Sequence, residues 1–121
     1  MHRALFLLCA CFSIAPIVSA AWQAGVAKAD ITPTESVPLA GYGGKTRMSE
    51  RVVQPIWLKA LALRDDSGAT SVLVTADLVG LSPKMVAHIS QVALEKHHLS
   101  REHLILNTSH NHSCPVTEDV L

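Results

Sequence analysis

Two histidines one residue apart, His110 and His112, follow directly on the apolar run Leu104-Ile105-Leu106 in the stretch LILNTSHNHSCPV. Neutral imidazole is a common zinc ligand, and a His-x-His pair can supply one or two ring nitrogens. On an extended backbone residues two apart face the same way, so both rings can point into one cleft. The same pattern also suits two polar residues that merely close a strand. A catalytic zinc site takes three protein ligands and an open position, and two histidines do not complete it. Cys114 stands close by as a thiolate candidate, but no activating base arrangement accompanies it, and it reads better as small-residue filler. Asp77 can brace a ligating histidine from behind or cap the helix that follows it. The remaining histidines beyond the N-terminal segment, His88, His97, His98 and His103, lie on or just after that helix and read as surface or capping residues. Asn107-Thr108-Ser109 and Asn111-His112-Ser113 fit a glycosylation acceptor pattern, but they fall at a strand end and a cleft and are read as chance matches.

Positioning these residues is the task of a short α/β unit. Trp22 to Ile31 alternates loosely and ends at Thr32-Pro33, as a strand stopped by proline does. Thr32 to Glu50 holds two prolines and three glycines and reads as one long loop. Ile56 to Leu63 alternates with both faces largely apolar, which predicts a strand buried on both sides. Asp65-Asp66-Ser67-Gly68 is turn chemistry, and Ser71 to Ala76 is the partner strand of a hairpin. Ser82 as N-cap, Pro83 at the first helical position and apolar residues Met85, Val86, Ile89, Val92 and Ala93 predict an amphipathic helix. Lys96, His97 and His98 near its end complement the helix dipole. A closing strand follows from His103 to Thr108, parallel to Ser71–Ala76 because a helical crossover joins them. The expected fold class is α/β, a mixed sheet with a helical crossover, forming an incomplete portion of a larger α/β catalytic domain. In such sheets ligands bind beyond the carboxyl ends of the parallel strands, where Asp77, Ser109, His110 and His112 fall.

The chain has 121 residues, room for one small domain. Its first twenty have the layout of a secretory signal peptide: Arg3, an apolar stretch from Ala4 to about Ile14, Pro16, and small residues at Val18-Ser19-Ala20, with cleavage expected after Ala20 or Ala21. An apolar stretch of about eleven residues is short for a membrane anchor, and a lipoprotein reading through Cys9 or Cys11 leaves a very short apolar region. The expected division is therefore residues 1–20 as signal peptide and residues 21–121 as the folded part, exported to the periplasm or secreted. Removing Arg3 from the ten basic residues leaves nine against ten acidic, a balance that argues against nucleic acid or an anionic membrane as the main partner. Cys9 and Cys11 depart with the leader, and Cys114 alone cannot form an internal disulfide.

Taken together, GVAKADITP, PLAGYGG, PIWLKALAL, SVLVTADLVGLS and HLILNTSHNHSCPV resemble the N-terminal catalytic domain of the neutral/alkaline non-lysosomal ceramidase family, from about Gly25 to Val116. The resemblance implies a zinc-dependent amidase that hydrolyses the N-acyl bond of ceramide to sphingosine and a fatty acid. It implies that His110 is a zinc ligand and that His112 is a catalytic-site residue that binds or polarises the substrate. Further ligands, a histidine, a glutamate and a tyrosine, and the family's active-site serine are implied to lie downstream of residue 121, so that this portion alone is expected to be inactive. Ser113 is not that serine. Cys114 stands where the family usually has glycine and Asn111 where it has threonine; neither change removes a metal-binding atom. The implied partners are a lipid or small amide substrate, with peripheral membrane contact made through the substrate and no nucleic acid. Two other readings stand beside this one: a zinc hydrolase of another amide or ester, and a noncatalytic secreted binding module.

Overall fold

A computed structural model describes residues 21–41 and 47–117 of the chain. The expected leader, residues 1–20, and the glycine-rich tip of the long loop lie outside the described residues.

Four strands form one mixed sheet in the order β1-β2-β3-β4: β1 Gln23–Asp30, β2 Trp57–Arg64, β3 Thr70–Ala76 and β4 Leu104–Thr108. β1 runs antiparallel to β2, from Gln23 opposite Arg64 to Asp30 opposite Trp57. Its end is fixed locally, since the Asp30 carboxylate accepts the Thr32 N–H at 2.8 Å and Ile31 donates to the Ile56 carbonyl at 3.0 Å. β2 and β3 form the expected hairpin. In its turn Asp65 Oδ1 accepts from Ser67 N, Ser67 Oγ and Ala69 N at 2.9, 2.6 and 3.0 Å, and Gly68 takes a φ of 87° that a side chain would disfavour.

The crossover helix α1, Pro83–His97, begins where the sequence predicts. Ser82 Oγ accepts the Met85 N–H at 3.2 Å and Pro83 occupies the first turn, where its missing N–H costs nothing. The helix ends at His98, whose φ of 53° turns its N–H back to the Leu94 carbonyl at 3.0 Å, while Leu99 N reaches Ala93 at 3.1 Å. One 3-10 turn, Arg101–His103, then delivers β4 into parallel register with β3, from Val72 opposite Leu104 to Ala76 opposite Thr108. The expected class, a mixed sheet with one helical crossover, is the one observed.

Burial departs from the expectation for β2. The row Val26, Leu61, Leu73 and Ile105 runs across all four strands on one face, and its outer members are 83% and 57% exposed. On the other face Leu104 is 4% exposed, so burial reaches β4 on that side, while β1 stays exposed along its whole length. β2 is apolar on both faces, yet none of its residues is buried; Leu61 and Leu73 in the middle of the Val26–Ile105 row are only half-buried. The core instead gathers at the carboxyl end of the parallel strands, where Ala40, Ala76, Leu78, Val79 and Cys114 are buried against Ile31, Ile56, Leu58 and Leu81.

The described parts of the long loop after β1 are paired more regularly than its composition suggests. Residues 37–39 pair on one side with 47–49, through Leu39 N to Arg47 O at 2.7 Å and Ser49 N to Val37 O at 2.8 Å. On the other side Ala40 N donates to Cys114 O at 3.0 Å and Val116 N to Pro38 O at 2.9 Å. This short ladder brings Ala40 and Gly41 beside the histidine segment.

Candidate functional site

Beyond β4 the chain continues its partnership with the end of β3: Ser109 N donates to Ala76 O at 3.0 Å and His110 N to Leu78 O at 2.9 Å. His110 then leaves the extended conformation, with φ at 53°. A non-glycine residue in this region carries a cost and is worth attention where it occurs beside polar side chains. Its ring is held by a hydrogen bond of 2.8 Å from Nδ1 to the Val79 carbonyl. A carbonyl can only accept, so Nδ1 carries the proton and, in the neutral ring, the lone pair is left on Nε2. That nitrogen stands 3.5 Å from Nε2 of His112, with ring centroids 5.2 Å apart and planes inclined by 71°.

The two rings thus converge, as the sequence predicts, but not by the route it predicts. An extended backbone does not align them, because the strand stops at Thr108 and His110 is left-handed. Nor do they line the broad cleft at this end of the sheet. That cleft, about 760 Å³, takes the alternate residues Ser109, Asn111 and Ser113, together with Asp77 and the loop residues Glu50 to Val53. Both histidines are exposed and face each other, outside the residues that line it.

Asp77 has neither of the expected roles. Its Oδ2 accepts the Trp57 N–H at 2.9 Å while its own N–H donates to Trp57 O at 3.0 Å, so it clamps the end of β3 to the start of β2. The helix cap is Ser82, and the histidine brace is the Val79 carbonyl. Cys114 is fully buried, and its thiol donates to Asn111 O at 3.1 Å. Burial pushes the thiol above its ordinary range, against the thiolate that a ligand or nucleophile requires. It behaves as core filler. Asn111 knits the loop, accepting from Ser113 N at 3.1 Å and donating to Ser109 Oγ at 3.2 Å. His88, His97, His98 and His103 are exposed, and none of them joins the pair. Among the described residues no three His, Cys, Asp or Glu side chains stand close enough together to enclose a metal ion.

Two contributors escape the sequence reading. The Val79 carbonyl is a backbone group and leaves no trace in residue types. Gly41 lies against the His112 ring, and its only signal is a glycine in PLAGYGG.

The class defined by this arrangement is a small α/β unit with a nitrogen-donor corner just beyond the parallel strand ends. Among solved structures it matches neutral ceramidase from Pseudomonas aeruginosa with a TM-score of 0.71 and 22% sequence identity, and a ceramidase complexed with C2 with a TM-score of 0.66 and 23% identity. Each match covers 81% of this chain and 16% of the other, so the chain spans about a sixth of the length of these proteins. At this identity the likeness establishes a shared fold, the one that the sequence motifs imply. The sequence matches no protein-family profile and no curated protein.

Proposed function

We propose that this chain is the N-terminal portion of a zinc-dependent amidase of ceramidase type, exported by a leader in residues 1–20. The observation that carries the reading is the histidine pair. His110 has its tautomer set by the Val79 carbonyl and turns its Nε2 lone pair toward Nε2 of His112, 3.5 Å away. A backbone carbonyl on the remote nitrogen is the usual way a metal-ligating histidine is oriented. With Nδ1 committed to the Val79 carbonyl, the His110 nitrogen that remains to hold an ion is Nε2, and His112 stands beside it.

In this reading His110 holds the zinc through Nε2, and ligands from outside residues 1–121 complete the site. Bound there, zinc supplies the Lewis acidity that polarises an amide carbonyl and activates a nucleophile. His112 binds and orients the substrate carbonyl beside it. The cleft next to the pair receives the remainder of the substrate, with Val52 and Val53, 58% and 82% exposed, on a rim suited to brushing a lipid surface. The shared fold with two ceramidases supports N-acyl sphingoid lipids as the substrate class.

A second reading keeps the chemistry and changes the substrate. The cleft carries Glu35, Glu50, Arg51 and Asp77 among its lining, which suits a polar amide or ester as well as an acyl chain. Metal analysis of the full-length polypeptide tests the site: His110→Ala is expected to lose stoichiometric zinc, and unchanged zinc would sink the assignment. Hydrolysis of a labelled ceramide against simple N-acyl amides separates the two substrates.

A further inference from the structure

Gly41 lies at the end of the ladder that joins residues 37–40 to 114–116, and its φ is 81°. A Cβ built on it would overlap the His112 ring at Nδ1 and Cγ and fall 2.8 Å from Cε1. Distances of this size are far inside van der Waals contact, so the ring and a Cβ at 41 cannot both keep these places. The imidazole therefore occupies the space that any other residue at 41 would fill. His110 is held from the opposite side by the Val79 carbonyl. One ring is thus fixed by a hydrogen bond and the other by a backbone surface.

The geometry points to Gly41 as a positioning residue that sets the His112 ring against His110, and through it the reactivity of the pair. The inference rests on the proposed function only for its effect on catalysis; the effect on the ring is independent of it. The chain provides its own control. Gly68 has a φ of 87°, and a Cβ there meets nothing within 4 Å. Gly68→Ala therefore imposes a like backbone strain with no histidine to displace.

The test compares Gly41→Ala, Gly68→Ala, His112→Ala and the Gly41→Ala/His112→Ala double variant in the full-length polypeptide. Readouts are the His112 ring resonances by NMR and the turnover of a labelled N-acyl amide. Gly41→Ala is expected to shift the ring resonances and lower kcat more than KM, on the order of tenfold or more, the scale at which misplacement of a reacting group is felt. Gly68→Ala should leave both unchanged. In the His112→Ala background the Gly41 substitution should add no further loss, because the group it acts through is gone. Should Gly41→Ala fail to fold, His112→Ala is expected to restore folding to the level of Gly68→Ala. Unmoved ring resonances in a folded Gly41→Ala variant would overturn the inference, as would a kcat loss or a folding defect that persists undiminished without His112. If His112→Ala keeps full activity while Gly41→Ala still moves the ring, the positioning role stands and the catalytic reading of the pair falls.

Discussion

The two ends of the sheet are built by different means. At the hairpin end a single side chain organises the chain reversal: Asp65 collects three hydrogen bonds from Ser67 and Ala69 and the turn stands in solvent. At the opposite end three separate stretches, 37–40, 77–81 and 109–116, are stitched together by backbone hydrogen bonds over a buried core of Ala40, Ala76, Leu78, Val79 and Cys114. Burial is thus placed beneath the histidine pair rather than beneath the middle of the sheet. A group meant to hold one geometry needs rigid packing below it, and a turn that only reverses direction does not.

The largest expected effect tests that division directly. Leu78, 7% exposed, also accepts the His110 N–H through its carbonyl, so Leu78→Ala should cost about 2–4 kcal/mol in denaturant unfolding. Val26→Ala, at a site 83% exposed on the open face, should stay within about 0.5 kcal/mol. Equal losses at the two positions would erase the contrast. Next comes the helix start. Ser82 is 1% exposed and caps α1, and Ser82→Ala should cost about 1 kcal/mol by the same measurement.

A finer comparison uses two histidines that share a φ of 53°. His98 is a helix terminus, where glycine is the usual residue, so His98→Gly should raise stability by up to about 1 kcal/mol by relieving the left-handed backbone. His110→Gly gains the same relief but forfeits the 2.8 Å bond to Val79 O, and a net change near zero is expected in thermal unfolding. If both variants gain equally, the ring bond contributes nothing. The smallest effect lies at the hairpin. Hydrogen bonds from Ser67, with help from the backbone, hold the Asp65 carboxyl below its ordinary range. A lowered folded pKa adds stability above the unfolded value that is lost as pH falls through the folded one. Asp65→Asn should therefore flatten the acid limb of the stability profile, slightly, with no change in the alkaline limb.

Most of the frame was legible because it is written in local chemistry. Ser82-Pro83 marks the helix start, Asp65-Asp66-Ser67-Gly68 the turn, and the helical period that follows Pro83 the crossover that makes β3 and β4 parallel. The strand pattern of β2 showed two apolar faces but not which of them is covered, since coverage depends on what packs there and not on β2 itself. At the site, residue types named His110 and His112, yet the means of their meeting was hidden. A left-handed φ at a histidine has no sequence mark, the Val79 carbonyl would be the same for any side chain at 79, and Asp77 looked available only because its bond to Trp57 N joins residues twenty apart in the chain.

The alternation of residues 109 to 113 has a consequence for how such a site can change over time. Ser109, Asn111 and Ser113 face the cleft, while His110 and His112 face each other and His112 lies against Gly41. On the proposed function, substitution of the Ser113 side chain, which takes no part in the bonds Asn111 makes to Ser109 Oγ and Ser113 N, can reshape what the cleft accepts and leave the histidine corner intact. An insertion or deletion of one residue between Thr108 and His112 has no such freedom, because it would shift the segment against the Leu78 and Val79 carbonyls that hold the His110 N–H and ring. This segment should therefore tolerate change at Ser113 more readily than at Asn111 or at either histidine, while keeping its length fixed.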